Sequence, residues 1–314
     1  MNDSPQKKAV SFKTIAEHHA GQRIDNFLMR ELKNVPRSHV YRIIRKGEVR
    51  VNKKRVKPAN KLAFGDVVRI PPIHIALIDP AIASKLLLKQ LEQVVVLEDE
   101  HLLVINKPTG LAVHAGSNIP IGLIEAMRQL RPELPYLELA HRLDRSTSGL
   151  VLLAKTRQAL QDLHTLFKTC GIDKRYLTLV AGQWQGGVKH IKNELLREQS
   201  RRKKIQVKAG GKIAESIFTP RKYYSDSTLL EVKLLTGRMH QIRTQLAHLG
   251  QPVIGDDQYG DFSLNRQYKK SHGIKRLFLH AYHVKCRLPT LGQAYNIEIP
   301  LANDLQKALN SELF

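Results

Sequence analysis

Cysteine is scarce. The chain has only Cys170 and Cys286 in 314 residues, far apart in sequence. That scarcity argues against a disulfide framework and against a cysteine-based zinc site, and it suits a reducing compartment. Acidic residues are also short, 28 Asp and Glu against 51 Lys and Arg, for a net charge of +23. An excess of that size is more than solubility requires and implies a polyanionic partner, nucleic acid ahead of an anionic membrane surface. No apolar run is long enough to span a bilayer, and residues 1–8 are polar without a signal-peptide pattern, so a cytoplasmic protein is expected. Internal repeats and low-complexity segments are missing too. Gly210-Gly211-Lys212 lacks the earlier glycine spacing and the following Ser or Thr of a phosphate-cradling loop, which argues against that function.

The length allows a substantial core and more than one domain. Residues 1–20 read as a polar tail with a short edge strand near 10–15. From Gly21 the texture changes. Ile24, Phe27, Leu28 and Leu32 share one helical face, Pro36 breaks the chain, and Ser38 is placed to cap a second helix that stops near Gly47. On that helix Val40, Ile43 and Ile44 make the apolar stripe, while Arg42, Arg45 and Lys46 project from another side. Lys53, Lys54 and Arg55 follow, and residues 65–70 close the unit as a strand. A basic cluster on one helix and the strand after it suits contact with phosphates, which carries affinity without reading sequence.

Pro71-Pro72 opens a linker over residues 73–92, with a helical turn or two in 81–90. From 93 to 314 the chain reads as a second, larger domain. A hairpin is expected from 94–97 and 102–105, helices at 121–130 and 158–169, and strands at 150–154, 174–180, 216–224, 228–235 and 291–300. A short helix then finishes the chain.

Two stretches carry the chemistry. In Ala140-His141-Arg142-Leu143-Asp144-Arg145-Ser146-Thr147-Ser148-Gly149 an acid lies in a polar connection between two apolar, strand-like runs. Short hydroxyls and a glycine suit the turn. Arg142 and Arg145 flank the acid, and neighbouring cations favour the ionised form of a carboxylate, which suits a nucleophile or base. The second stretch is Thr236-Gly237-Arg238-Met239-His240-Gln241-Ile242-Arg243, a strand turning into a helix whose Ile242, Leu246 and Leu249 face inward. His141, His240 and His280 could ligate a metal in principle. Because positions i and i+3 of a strand point to opposite faces, His280 and His283 make a poor pair, and no metal is expected.

The first stretch resembles the H-R-L-D-x-x-T-S-G catalytic loop of the RluA-type RNA pseudouridine synthases. The second resembles that family's T-G-R-x-H-Q-[IL]-R motif, and Lys107-Pro108-Thr109-Gly110 resembles its first motif. Residues 21–25, 37–38 and 47–52 are similar to the S4 RNA-binding domain.

The resemblance implies an α+β fold: a catalytic domain built on a mixed, largely antiparallel sheet, over 93–314, and a small N-terminal S4 (αL-like) domain over 21–72. It implies Asp144 as the catalytic carboxylate, Arg243 as its bidentate partner fixing its rotamer, and Tyr176 stacking on the uracil and aiding proton removal. Arg142 would fill the gap left by an everted uridine. Lys107, His141, Arg238 and His240 would line the substrate site, with Arg37, Arg42, Arg45, Lys46, Lys53, Lys54 and Arg55 on RNA. No cofactor is implied, because the isomerisation needs neither redox change nor energy input.

The implied partner is RNA, 23S rRNA or a large-subunit precursor. Neither DNA nor a membrane is expected to bind, and the chain is expected to act as a monomer. Gln245 stands where many relatives have histidine. Two other readings leave more unexplained. A non-catalytic S4-type RNA-binding protein does not account for the Asp144, Tyr176 and Arg243 pattern, and a paired-carboxylate glycosidase lacks a second acid.

Overall fold

The computed structural model describes residues 10–32, 35, 37–73, 82–116, 119–198 and 204–310. The chain forms two compact units, Met1–Ala81 and Ile82–Phe314. The first contains β1 (Ser11–Thr14), α1 (Ile24–Glu31), α2 (Arg37–Arg45), β2 (Arg50–Val51), β3 (Lys54–Arg55) and β4 (Val67–Ile70). The strands make one antiparallel sheet in the order β1-β4-β2-β3. Ile24, Phe27 and Leu28 of α1 pack with Val40, Ile43 and Ile44 of α2 over Val49, Val68 and Ile70, as the helical spacing requires.

Asp25, buried at the start of α1, accepts from Arg23 (2.6 and 3.1 Å) and from the Tyr41 hydroxyl (2.8 Å), and so ties the helices together. Two expectations change here. The short edge strand expected near 10–15 is β1, but it belongs to the first unit's sheet and not to a tail before it, because it pairs along the whole of β4. Ser38 is the second residue of α2 instead of its cap.

The second unit starts earlier than expected. The helical turn or two expected within the linker at 81–90 is a full helix, α3 (Lys85–Gln93). Ser84 caps it by accepting from Leu87 N–H, and Leu91 is fully buried in the larger core. The leucines at 87, 88 and 91 give this segment an apolar face that a linker would leave wet. Then come β5 (Val95–Glu98), β6 (Leu102–Lys107), α4 (Leu123–Leu130), β7 (Glu138–Leu139), β8 (Ser148–Ala154), α5 (Arg157–Lys168), β9 (Asp173–Ala181), β10 (Lys189–Arg197), β11 (Ile205–Val207), β12 (Lys212–Tyr223), β13 (Ser227–Leu234), α6 (Gln241–His248), α7 (Phe262–Ser271), β14 (Leu279–Arg287), β15 (Ala294–Glu298) and α8 (Asn303–Leu309). Strand β10 and helix α7 have no counterpart among the expected elements. The expected closing helix is α8, and residues 311–314 lie outside the described residues.

One mixed sheet runs β11-β10-β12-β13-β9-β14-β8-β6-β5, with β15 against β14 and β7 against β8. Among the described residues its pairings are antiparallel except β8 with β14. β8 is buried along its whole length. Val151 and Leu153 enter the larger core, while Leu150, Leu152 and Ala154 enter a second core on the opposite face. A strand covered on both faces reads as an unbroken apolar run, as 150–154 does.

Candidate active site

Asp144 lies on the loop between β7 and β8, and packing fixes that loop on both sides of it. Leu143 and Thr147 are buried, and Thr147 N–H donates back to the Asp144 carbonyl at 3.1 Å. The loop after β6 is laced to the same backbone. Gly110 N–H donates to the Arg145 carbonyl (2.8 Å), Arg145 Nε donates to the Gly110 carbonyl (2.8 Å), and Thr109 Oγ1 donates to the Ser146 carbonyl (2.8 Å). Arg145 is thereby committed to the neighbouring loop. Arg142 is exposed on the cleft beside Asp144.

Gly149 follows at φ +114°, where a Cβ would lie 2.2 Å from the Ala281 carbonyl oxygen. A side chain there would push β8 off β14 and tilt the loop that carries the acid.

Lys107 does not face the cleft. It is fully buried, and Nζ donates to the carbonyls of Pro108 (2.9 Å), Leu111 (2.9 Å) and Arg145 (3.3 Å). Burial pulls its pKa down to about 7, against the opposing pull of the Asp144 charge. Three acceptors match the three N–H groups of an ammonium, so Lys107 is a strut between the two loops rather than a hand for RNA.

His141 does line the cleft, but its ring is tied to the backbone. Its Nε2 accepts from Leu152 N–H at 3.0 Å, and burial, helped by Lys174, lowers its pKa to about 3. Because that folded value lies below the unfolded one, the contribution to stability is complete above about pH 6.5 and is lost as pH falls toward 3. Lowering the pH from 7 to about 4.5 should therefore remove roughly 1–3 kcal/mol through this residue. The check is thermal unfolding across that range, where His141→Asn should show a shallower decline than the parent.

Arg243, on the first turn of α6, faces Asp144 as the resemblance implied, but its main partner is another acid. Its Nε and Nη2 donate to the two carboxylate oxygens of Asp256 at 2.7 Å each, while Nη1 makes one long contact of 3.5 Å to Asp144 Oδ2. The bidentate pair expected with Asp144 is thus made with Asp256. Arg243 is 4% exposed and Asp256 is fully buried. Burial opposes both charges, but their mutual bonds outweigh it. The carboxylate is held below its usual range and the guanidinium above its own.

The backbone N–H groups of Gln258 and Tyr259 also donate to Asp256, at 2.9 and 3.0 Å. Gly255 at φ +78° allows this turn, since a Cβ there would strike the Arg276 carbonyl at 2.0 Å. The Tyr259 ring lies 5.0 Å from the guanidinium carbon.

His240 precedes α6 with left-handed backbone, φ 54°. Its Nδ1 shares a hydrogen bond with the Tyr259 hydroxyl (2.8 Å), and its Nε2 is 3.6 Å from Asp144 Oδ2. Burial lowers its pKa, with Asp144 pulling the other way. Gln241 knots the turn beneath it. Its amide donates to the Glu215 carbonyl and Ser216 Oγ, and its oxygen accepts from Thr236 Oγ1 and Arg238 N–H. Gln245 is buried and bonded to Ser216, Asn193 and the Ala214 carbonyl, so the departure from the family's histidine fixes α6 to β10 and β12. Arg238 is exposed at the rim and donates to the Ile213 carbonyl.

Tyr176, on β9, is buried at the cleft wall. Burial, then the Asp144 charge, drive its phenol above the usual range, so it stays protonated at neutral pH. Arg142, Asp144, Tyr176 and Arg238 share an open cleft of about 530 Å³ that Lys168, Lys174 and Met239 extend. Among the described residues no group of three or more His, Cys, Asp or Glu could hold a metal ion.

A carboxylate at 21% exposure, steered by a buried arginine, opens on a basic, aromatic-walled cleft of a largely antiparallel sheet, in a chain that also carries a small helix-and-strand unit rich in cations. The family model described as RNA pseudouridylate synthase matches residues 101–248, and the S4 domain model matches 22–68. The chain belongs to the RNA pseudouridine synthase family and is an isomerase of that class.

Its curated relatives narrow the similarity. Ribosomal large subunit pseudouridine synthase C of Salmonella typhimurium is 47% identical, over 98% of this chain and 97% of that protein. The proteins of the same name from Escherichia coli strain K12 and Haemophilus influenzae are 46% and 44% identical, again over 98% of this chain and 97% of theirs. Among solved structures, human RNA pseudouridylate synthase domain containing 4 shares the fold, with a TM-score of 0.60 and 23% identity over 71% of this chain and 94% of that one.

Proposed function

We propose that this chain isomerises specific uridines of large-subunit ribosomal RNA, 23S rRNA, to pseudouridine in the cytoplasm, with Asp144 as the catalytic carboxylate. The observation that carries the reading is the placement of Asp144, partly open at the cleft and 3.5 Å from a guanidinium that Asp256 locks from behind. Isomerisation breaks the N1–C1′ bond, turns the base and joins C5 to C1′, with the C5 proton lost and N1 gaining one, so the net composition is unchanged. One carboxylate aimed at the base or ribose suffices. A uridine within a helix must first be everted, at a cost of a few kcal/mol. In this reading Arg142 enters the space the base leaves, and Tyr176 gives the uracil a ring face. A phenol that remains protonated is suited to stacking rather than to taking a proton from C5. Arg243 positions the acid, and Arg238 lies at the rim.

Incubating the purified protein with unmodified large-subunit rRNA and mapping pseudouridine chemically tests the reading. New pseudouridine at discrete sites is expected, and its absence would refute it. The cations of the first unit, Arg37, Arg42, Arg45, Lys46, Lys53, Lys54 and Arg55, are proposed to hold phosphates. Replacing Arg42, Arg45 and Lys53 together by glutamine should weaken rRNA binding and flatten the plot of log affinity against log salt by up to about three units, near one for each phosphate no longer neutralised. An unchanged slope would remove these residues from the interface.

A further inference from the structure

Strand registry in the first unit lines up four side chains. Phe12 of β1 pairs with Arg69 of β4, Arg69 pairs with Arg50 of β2, and Arg50 pairs with Arg55 of β3. Residues directly opposite one another share a sheet face, so one row crosses the whole sheet: an aromatic ring, then three guanidiniums. The opposite face carries Val68 and Ile70 into the core, and the row therefore looks outward. Phe12 is 65% exposed.

Three like charges abreast on neighbouring strands repel, and none of these arginines has an ion pair among the described residues. They are nevertheless held in place. The carbonyls of Lys46, Gly47 and Glu48, in the turn that ends α2, accept from Arg55 (3.4 Å), Arg50 (3.4 Å) and Arg69 (2.6 Å) in turn. A helix C-terminus tolerates cations, which offsets part of the repulsion and leaves donors free for a ligand.

The groove over this row measures about 930 Å³, and Lys46, Lys53, Asn52 and Val67 line it further. Asn52 and Lys53 form a tight hairpin turn with positive φ, and Asn52 is pinned by Val67 N–H (2.8 Å) and Asp66 (2.7 Å). Glu48 is the acid that lines the groove, and it makes no ion pair with the row among the described residues.

We infer that this sheet face is a binding site for an unpaired nucleotide of RNA, with the base stacked on Phe12 and the flanking phosphates on Arg69, Arg50 and Arg55. Helix-face cations alone would grip any duplex by its charge. An exposed ring at the end of an arginine row adds a preference for a base that is free to stack. The site rests on the RNA-modifying reading for its ligand, but its test does not require turnover. Phe12 precedes the region matched by the S4 model.

The probe is a uridine-free RNA hairpin carrying one bulged 2-aminopurine, compared with the same hairpin fully paired. Lacking uridine, it offers the Asp144 cleft nothing to isomerise. The full-length protein should bind the bulged form more tightly and quench its fluorescence. Phe12→Ala, on an exposed edge strand, should abolish the quenching and cut affinity for the bulged form by on the order of 10-fold, leaving the paired form unchanged. The variant Arg50→Gln with Arg69→Gln should weaken both forms and flatten the salt dependence. Equal binding of the two hairpins by the parent, or quenching that survives Phe12→Ala, would overturn the inference. So would effective competition by free adenosine monophosphate, which would mark a mononucleotide site. Failure here with pseudouridine still formed on rRNA would sink only this site. Failure of both would sink the enzyme's RNA assignment.

Discussion

Asp144→Asn is expected to abolish pseudouridine formation on rRNA while leaving the protein folded and bound to its RNA. The loss should be on the order of 10³-fold or more, the scale seen when a group acting directly in the transition state is removed. Asparagine preserves the shape, so Leu143, Thr147 and the lacing between Arg145 and Gly110 stay in place. Among the described residues, the ion pairs given up are the long ones to Arg243 and His240, at 3.5 and 3.6 Å. Partly exposed pairs of that length are worth about 1 kcal/mol or less. Single-turnover product analysis beside equilibrium RNA binding and thermal unfolding makes the check. A variant that unfolds or releases RNA would show a structural aspartate instead.

Asp256→Asn should do the opposite, damaging the fold as well as the chemistry. Arg243 is nearly sealed from water, and its two short bonds end on this carboxylate. Leaving a buried guanidinium without its counter-charge costs roughly 3–5 kcal/mol. For a unit of this size that is a fall in melting temperature on the order of 10 °C. Turnover should fall as well, because Arg243 would be free to swing toward Asp144 and change the acid's rotamer. Adding Arg243→Met to the Asp256→Asn variant removes the stranded charge, so stability should recover in part while activity does not. A single variant that melts like the parent would show that the pair is dispensable.

The Asp144 loop and the Arg243 helix are legible in sequence because each is a contiguous string with its own strand or helix signal. In the folded chain their side chains meet at 3.5 Å. What holds Arg243 is not legible in that way. Asp256 lies 13 residues downstream, beyond a turn that Gly255 permits, and no helical or strand period links the two. Burial of charge is hidden for a similar reason. Lys107 and His141 belong to motifs that suggest contact with substrate, yet their acceptor and donor partners are backbone groups, which carry no sequence identity.

The apolar stripes of α1, α2, α4 and α5 announce themselves by period, within a residue or two of where these helices begin and end. β10 does not, because Lys189–Arg197 is mostly charged and polar, with Ile191, Leu195 and Leu196 as its apolar residues and Leu195 as its buried one, so no two-residue period stands out. Nor does α7, whose buried side rests largely on Tyr268.

The parallel pairing of Ser148 and Gly149 of β8 with His280 and Ala281 of β14 has a consequence for biosynthesis. The strand that anchors the acid's loop finds its neighbour more than 130 residues later, so that edge of the loop is unsupported until residue 281 has left the ribosome. Contacts so distant along the chain form late and slowly. A nascent chain can therefore expose its cationic N-terminal unit to RNA well before it owns a finished catalytic pocket, and capture would come before chemistry during synthesis itself.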